Sequence, residues 1–135
     1  MEKRGRREFR GRADQVAAAR SFVAGALSAG YGAARDVIRL LVSEAATNAL
    51  LHSGSGRTGG TFTVEYTLTE ARLRVEVHDD GAPGGPRRRI HHLESVTGRG
   101  LELFAALSSR WGVDGGPKGR TVWFELDADD VEVRR

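Results

Sequence analysis

The strongest constraint on the fold of this chain lies in residues 61–79, where two runs of alternating apolar and polar residues follow each other closely. Residues 61–69 alternate cleanly, and residues 73–79 repeat the pattern after a tight turn near Glu70. A period of two is typical of strands that bury one face, and two such strands joined by a short turn form an antiparallel hairpin. The chain is therefore predicted to contain an antiparallel sheet that needs a covering layer on its apolar face.

Helices are predicted to supply this layer, with Asp14 as the N-cap of the first one. The helix at 33–52 is apolar almost all round, so we expect it to be central. The predicted order is an edge strand at 7–10, helices at 16–27 and 33–52, the hairpin, a loop at 80–97, a helix from Gly98 or Gly100, and strands at 111–113 and 121–126. This order predicts the α+β class, as a two-layer α/β sandwich whose mostly antiparallel, mixed sheet is covered on one face by three helices.

Composition limits the classes of protein that need to be considered. A chain of 135 residues is expected to form a single domain, 1–135, and the absence of cysteine excludes disulfides and thiolate metal sites. No apolar run is long enough for a membrane span, so we expect a cytoplasmic protein without membrane contact. Residues 1–12 carry six basic and two acidic side chains, so the net charge of this segment, 6 − 2 = +4, exceeds the formal net charge of +3 of the whole chain. We interpret 1–6 as a basic tail rather than a nucleic-acid interface, and 127–135 as a charged tail.

Two carboxylates and one carboxamide occupy positions where apolar residues are expected. Glu44 and Asn48 fall on the apolar stripe of the helix at 33–52, and Asp79 is in phase with the apolar positions of its strand. The apolar residues on these faces are Val37, Leu40, Leu41 and Leu51 in the helix, and Leu73, Val75 and Val77 in the strand. Because ionised carboxylates are costly in a core, these three side chains predict a polar functional pocket.

The spacing of these residues suggests specific chemistry, with a simpler alternative for each. Glu44 and Asn48 are four positions apart, so they project side by side, as suits a general base next to a Mg²⁺ ion that also binds phosphates. The alternative is a structural hydrogen bond between the two side chains near the end of the helix. Asp79 is suited to accept a hydrogen bond from an exocyclic amine, or it simply starts a turn before Gly81.

Two further segments allow a functional and a structural interpretation. Residues 98–101 open a helix with glycines, which lets backbone N–H groups approach an anion, although glycine also enters helices for steric reasons. The arginines at 87–89 are suited to clamp phosphates or an acidic partner, or they form a solvated run of charge. A P-loop is excluded because the chain contains no G-x-x-x-x-G-K-[ST] sequence.

Taken together and in this order, the motifs resemble those of the GHKL (Bergerat-fold) ATPases, the superfamily of gyrase, MutL and histidine-kinase catalytic domains. Within it, the chain is most similar to the anti-sigma-factor serine kinases. Residues 41–49 resemble the N-box, 77–81 the first glycine box and 98–101 the second, and 119–124 are similar to the closing strand. The resemblance covers about residues 8–126.

The resemblance implies a role for each matching residue around the base and the metal ion. Glu44 would be the catalytic base that accepts the proton of a serine hydroxyl, and Asn48 would hold Mg²⁺ between the phosphates. Asp79 would accept a hydrogen bond from the adenine amine, and Gly81 would allow the base to approach closely. Thr121 would support the adenine, directly or through water.

The resemblance also implies which residues bind the phosphates. Gly98 and Gly100 would supply backbone donors, Arg99 would reach the phosphates through its side chain, and Leu101 would complete the second glycine box. Residues 82–97 would form the ATP lid. This lid is short and rich in arginine, which departs from the usual family pattern.

The activity implied by the resemblance is that of a Mg-ATP-dependent protein serine/threonine kinase that regulates transcription. Such a kinase would bind a sigma factor, phosphorylate an anti-anti-sigma antagonist of the STAS type, and act as a homodimer. Two alternatives remain open from the sequence. One is a nucleotide-responsive module that sequesters its partner without phosphotransfer, and the other is a histidine-kinase-like ATPase fragment.

Overall fold

The computed structural model describes residues 2–27, 29–52, 60–80, 100–116 and 119–133. Their elements are β1 (Lys3–Arg10), α1 (Gln15–Ala24), a 3-10 helix (Ala29–Ala34), α2 (Arg35–His52), β2 (Thr61–Leu68), β3 (Arg72–Asp79), α3 (Gly100–Leu107), β4 (Arg110–Gly116), β5 (Gly119–Asp127) and α4 (Ala128–Val133). The predicted α+β class is confirmed. No helix in these described ranges is both long enough and apolar enough to cross a membrane.

The strands form one five-stranded sheet in the order β1-β2-β3-β5-β4. Every neighbouring pair is antiparallel, so the described sheet contains no parallel pair where the sequence predicted a mixed sheet. The predicted hairpin is β2–β3, and the predicted last two strands are β4 and β5. Because β5 pairs antiparallel with β3, the C-terminal end of β3 lies next to the N-terminal end of β5.

The core lies between α2 and the inner face of the sheet. On the sheet, Leu73 and Val75 are fully buried, and on α2 the side chains of Ile38 and Leu41 are fully buried against that layer. Phe9 of β1 extends the core, and its ring stacks on Phe62 of β2 with 5.3 Å between the centroids. The alternation seen in the sequence therefore marks the buried face correctly in β2 and β3.

Both ends of the chain contain more regular structure than predicted. The edge strand begins at Lys3 rather than at residue 7, so most of the expected basic tail belongs to β1. Its side chains are mostly exposed apart from Phe9, and such a strand is stabilised by backbone hydrogen bonds that leave no apolar periodicity in the sequence. At the other end, Ala128–Val133 form α4 where a tail was expected. Acidic residues in its first turn stabilise the helix through their interaction with the helix dipole.

The helices agree with the sequence in position but differ in their apolar faces. α1 ends at Ala24, three residues before the predicted end, and α2 begins at Arg35. Leu40 is 40% exposed and Leu51 is 56% exposed, so these two do not belong to the buried stripe that the sequence suggested. The buried stripe instead runs through small residues such as Ala45, because the close packing of α2 on α1 and the sheet selects them.

Candidate functional site

Helix α2 places the side chain of Asn48 entirely in the interior of the protein. The residue is 0% exposed, and neither its amide nitrogen nor its amide oxygen has a hydrogen-bond partner among the described residues. Buried polar atoms are normally paired, because an unpaired one costs about 1–3 kcal/mol. Asn48 therefore has two unused hydrogen-bonding groups in the interior, as expected of a side chain that binds a ligand.

Glu44 lies one helical turn before Asn48 on α2 and is half-buried. Burial removes water from its carboxylate and raises the pKa of Glu44 above its ordinary value of 4.5. A carboxylate with a raised pKa is a better proton acceptor near neutral pH than a solvated one. The described structure gives no hydrogen bond between Glu44 and Asn48, since both amide atoms of Asn48 are unpartnered. The structure therefore does not support the alternative of a structural hydrogen bond between Glu44 and Asn48.

Asp79 is the last residue of β3, and its side chain lies on the buried face of the sheet, as its phase in the sequence predicted. Arg120 of β5 stands directly opposite it in the antiparallel register. The guanidinium Nε of Arg120 donates a hydrogen bond to Oδ2 of Asp79 at 3.0 Å, and Nη2 makes an ion-pair contact with the same oxygen at 2.9 Å. Both side chains are only 2% exposed. Asp79 is thus a buried carboxylate with a charged partner, and not only the start of a turn.

Thr121 has its hydroxyl on the other face of the sheet. Its Oγ1 lies 2.8 Å from Nδ1 of His78, the residue before Asp79. Successive side chains of a strand point to opposite faces, so the hydroxyl of Thr121 and the carboxylate of Asp79 are separated by the sheet. The structure does not bring this hydroxyl to Asp79. The residue of β5 that shares the buried face with Asp79 is Arg120.

Sequence reasoning did not find Arg120, although the necessary signal is present. The buried positions of β5 include Val122 and Phe124, and Arg120 is in phase with them. The same reasoning that singled out Asp79 on β3 therefore singles out Arg120 on β5. Arg120 was missed because roles in the closing strand at 119–124 were taken from the family resemblance, which implies a role for Thr121 and none for Arg120.

Several predicted site residues lie outside the described part of the chain. These are Gly81, Gly98 and Arg99, the predicted lid at 82–97 and, within it, the arginines at 87–89. Of the second glycine box, Gly100 and Leu101 are the first two residues of α3. α3 packs against α2 and β4, and its Phe104 is fully buried in the core. The N-terminus of α3 thus belongs to the same helical layer as Asn48.

The outer face of the sheet holds a second group of potential ligands. Donor atoms of Glu65, Glu76 and His78 lie within 4.8 Å of one another. Each carboxylate also pairs with an arginine, Glu65 with Arg6 and Glu76 with Arg74. The charges of this group are therefore balanced by the protein itself, and it is separate from the buried residues of the candidate site.

The residues of the candidate site fit a magnesium ion with a phosphate-bearing ligand. Mg²⁺ prefers oxygen ligands and is usually bound by one or two protein side chains together with phosphates and water. The unpartnered amide oxygen of Asn48 is such a ligand, and Glu44 supplies a carboxylate one turn away. This arrangement suits phosphoryl transfer, which mainly requires positioning and electrostatic stabilisation.

Comparison with known proteins assigns the fold to a family. A sequence model described as "Histidine kinase-like ATPase domain" matches residues 9–126, from the end of β1 to the end of β5. The chain therefore belongs to the histidine kinase-like ATPase domain family. It is a member of the class that the resemblance had indicated from the N-box and the two glycine boxes.

Individual relatives share a shorter segment with the chain. Serine-protein kinase RsbW of Listeria monocytogenes (serotype 4a, strain HCC23) is 43% identical over 51 residues, which is 38% of this chain and 32% of the relative. The protein of the same name from Listeria innocua gives the same identity and coverage. The chain thus matches about a third of the length of these curated relatives.

Proposed function

We propose that this protein binds Mg-ATP and transfers the γ-phosphoryl group to a serine or threonine hydroxyl of a partner protein. The single observation that carries the proposal is Asn48, which is fully buried with both amide atoms unpartnered, one turn after the desolvated Glu44. Membership of an ATPase domain family supports a nucleotide as the ligand. The name of the similar relatives, serine-protein kinase, supports a hydroxyl as the phosphoryl acceptor.

Each residue of the proposed site has a defined task in this reaction. The bond between the γ-phosphorus and the bridging oxygen of ADP breaks, a bond to the serine oxygen forms, and the hydroxyl proton passes to Glu44. Asn48 holds the magnesium ion, which neutralises phosphate charge when it is bound. Asp79 accepts a hydrogen bond from the adenine amine and fixes the base. Gly98, Arg99, Gly100 and Leu101 are proposed to bind the phosphates, and Gly81 and Thr121 to support the base.

The proposed biological role is that of an anti-sigma regulator. In this role the protein binds a sigma factor in the cytoplasm and phosphorylates an anti-anti-sigma protein of the STAS type. The resemblance of residues 41–49, 77–81 and 98–101 to the motifs of anti-sigma kinases supports these partners, and the same resemblance supports a homodimer.

The nucleotide part of the proposal is tested by calorimetry with ADP, with and without Mg²⁺. Wild type is expected to bind ADP more tightly in Mg²⁺, and Asn48→Ala is expected to lose most of the Mg²⁺-dependent gain. Ser43→Ala is a matched control, since Ser43 lies on the same helix and pairs with Arg20 through its hydroxyl. Absence of ADP binding by wild type would refute the nucleotide site.

The transfer part of the proposal is tested with γ-labelled ATP and purified STAS-type proteins as acceptors. Wild type is expected to label an acceptor, and Glu44→Gln is expected to reduce the rate by about 10²–10⁴-fold, the usual contribution of a general base. If ADP binds but no acceptor is labelled, the protein is instead the nucleotide-responsive module that sequesters its partner. Equal rates for wild type and Glu44→Gln would exclude Glu44 as the base.

A further inference from the structure

The outer face of the sheet holds a histidine next to two carboxylates that face each other. Glu65 of β2 and Glu76 of β3 are direct cross-strand partners, and His78 follows Glu76 by two residues, so all three side chains lie on one face. Their donor atoms lie within 4.8 Å of one another. Like charges directly opposite each other on neighbouring strands are unfavourable, and a cation between them removes this cost.

The Nε2 atom of His78 is placed as a metal ligand would be. It lies 3.0 Å from Oε1 of Glu65 and 3.2 Å from Oε1 of Glu76. Despite these distances, this buried nitrogen has no hydrogen bond of regular geometry to any residue that the structure describes. Two ligands of one tetrahedral Zn²⁺ ion lie about 3.3 Å apart, since each bond to the metal is about 2.0–2.1 Å long. Both separations are close to this value.

The other ring nitrogen of His78 is held by β5. Nδ1 lies 2.8 Å from the hydroxyl oxygen of Thr121. A neutral imidazole carries its proton on one nitrogen and a lone pair on the other. When Nδ1 donates its proton to the hydroxyl oxygen, the lone pair is on Nε2 and next to the two carboxylates. Metal-binding histidines are generally oriented by such a hydrogen bond on their second nitrogen.

The arginines beside the two carboxylates are compatible with a bound ion. Arg74 donates from Nε to Oε2 of Glu76 at 2.7 Å, whereas His78 lies next to Oε1 of the same carboxylate. Carboxylate ligands of metals are themselves commonly held by hydrogen bonds of this kind. Arg6 contacts the same oxygen of Glu65 as His78 does, but its side chain is 66% exposed. An exposed ion pair contributes little to stability, so Arg6 can release this oxygen at low cost.

We propose that Glu65, Glu76 and His78 form a binding site for Zn²⁺ that joins β2 to β3 on the outer face of the sheet. One imidazole nitrogen and two carboxylate oxygens suit Zn²⁺, with water in the fourth position. Mg²⁺ is disfavoured here because it prefers oxygen ligands alone. The site lies on the opposite face of the sheet from Asp79, so this inference does not rest on the proposed nucleotide site.

The test is calorimetry with zinc chloride alone, on full-length protein that has been freed of metal and carries no histidine tag. Wild type is expected to bind one Zn²⁺ per chain. His78→Gln and Glu76→Gln are each expected to weaken binding by at least about 10–100-fold, the usual loss when only an outer partner of a ligand is removed. Asp114→Asn is the matched control, because Asp114 is exposed on the same face, opposite Thr121, but is not one of the three ligands. It is expected to bind Zn²⁺ as wild type does.

Two further readings separate this site from general attraction of cations. Trp123 is the direct cross-strand partner of Glu76, so Zn²⁺ is expected to change the tryptophan fluorescence of wild type but not that of His78→Gln. Thr121→Val keeps all three ligands and removes the hydroxyl that orients His78, so it is expected to lower the affinity for Zn²⁺ by about 10-fold or more. An excess of Mg²⁺ is expected to leave Zn²⁺ bound.

The same measurements can overturn the inference. If wild type binds no Zn²⁺, the site does not exist. If wild type and His78→Gln bind with equal affinity, the ion is held by other residues. Should His78→Gln fail to fold, Glu65→Gln decides, because it changes a half-exposed side chain and must weaken binding by a similar factor. No nucleotide is present in these titrations, so failure to bind ADP would refute the proposed function and leave the zinc site standing.

Discussion

Trp123 of β5 lies directly against Gly112, its cross-strand partner in β4. A Cβ atom at position 112 would lie 2.7 Å from Cζ2 of the Trp123 ring, closer than any side chain can approach. The guanidinium of Arg74 on the neighbouring strand also packs on this ring, with its carbon 4.4 Å from the centroid. On the outer face of the sheet, the ring of Trp123 therefore occupies the space that a side chain at position 112 would fill, and the guanidinium of Arg74 packs on it as a cation–π contact.

Replacing Gly112 by alanine is expected to destabilise the protein by about 1–3 kcal/mol, since the ring of Trp123 must shift to admit the methyl group. The free energy of unfolding in urea measures the effect. Gly32→Ala is the matched control, because a Cβ at Gly32 meets no atom within 4 Å. We expect this control to stay within about 0.5 kcal/mol of wild type. Equal stability of the two variants would show that the ring moves away at no cost.

The buried pair Asp79–Arg120 is expected to be strongly coupled in stability. Removal of one partner takes the opposite charge away from a buried ion, which usually costs about 3–5 kcal/mol. The variants Asp79→Asn and Arg120→Met should each show such a loss in urea unfolding. The double variant should cost clearly less than the sum of the two, because neither buried charge remains. Additive losses would mean that the two charges do not depend on each other in the folded state.

The sequence was sufficient for most of the fold because the relevant patterns are local. The alternation in 61–79 depends on which face a residue buries, and it was confirmed. The helix predicted at 33–52 was confirmed in position, although Leu40 and Leu51 lie outside its buried stripe. β1 was under-predicted because an edge strand is stabilised by backbone hydrogen bonds to β2 and shows only Phe9 as a buried residue. The short helix α4 was missed for a similar reason. Its start depends on a tertiary contact, in which the N–H of Ala128 donates to the carbonyl of Ala71.

The candidate site could be predicted in part, because phase within an element shows where a side chain points. Asp79 and Asn48 are buried as their phase indicated. The pairing of Asp79 with Arg120 was beyond the sequence, since it depends on β5 lying next to β3 in a particular register. A slip of that register by two residues would place Val122 opposite Asp79 and keep the same faces buried, and local sequence does not distinguish the two arrangements.

Acid is expected to weaken the outer face of the sheet through Asp127. Hydrogen bonds from Arg110 hold the pKa of Asp127 at about 2, below its ordinary value of 3.8. A carboxyl whose pKa is lowered by folding stabilises the native state above the unfolded value, and this contribution is lost as the pH falls toward the folded value. The melting temperature should therefore drop between about pH 4 and pH 2, and Asp127→Asn should flatten that part of the curve. Asp114→Asn, at an exposed position of β4, should leave the drop in place.

Glu44 is expected to contribute to activity at some expense of stability. Burial raises the pKa of Glu44 in the folded state, so its ionisation opposes folding as the pH rises above the unfolded value. Glu44→Gln should therefore melt at the same or a higher temperature than wild type at pH 7, with an advantage that shrinks toward pH 4, while phosphoryl transfer is lost. Thermal unfolding across this pH range and the labelled-ATP assay provide the two readings. The exposed Glu70→Gln should change neither, and a Glu44→Gln variant that is less stable than wild type at pH 7 would contradict a purely functional role for this carboxylate.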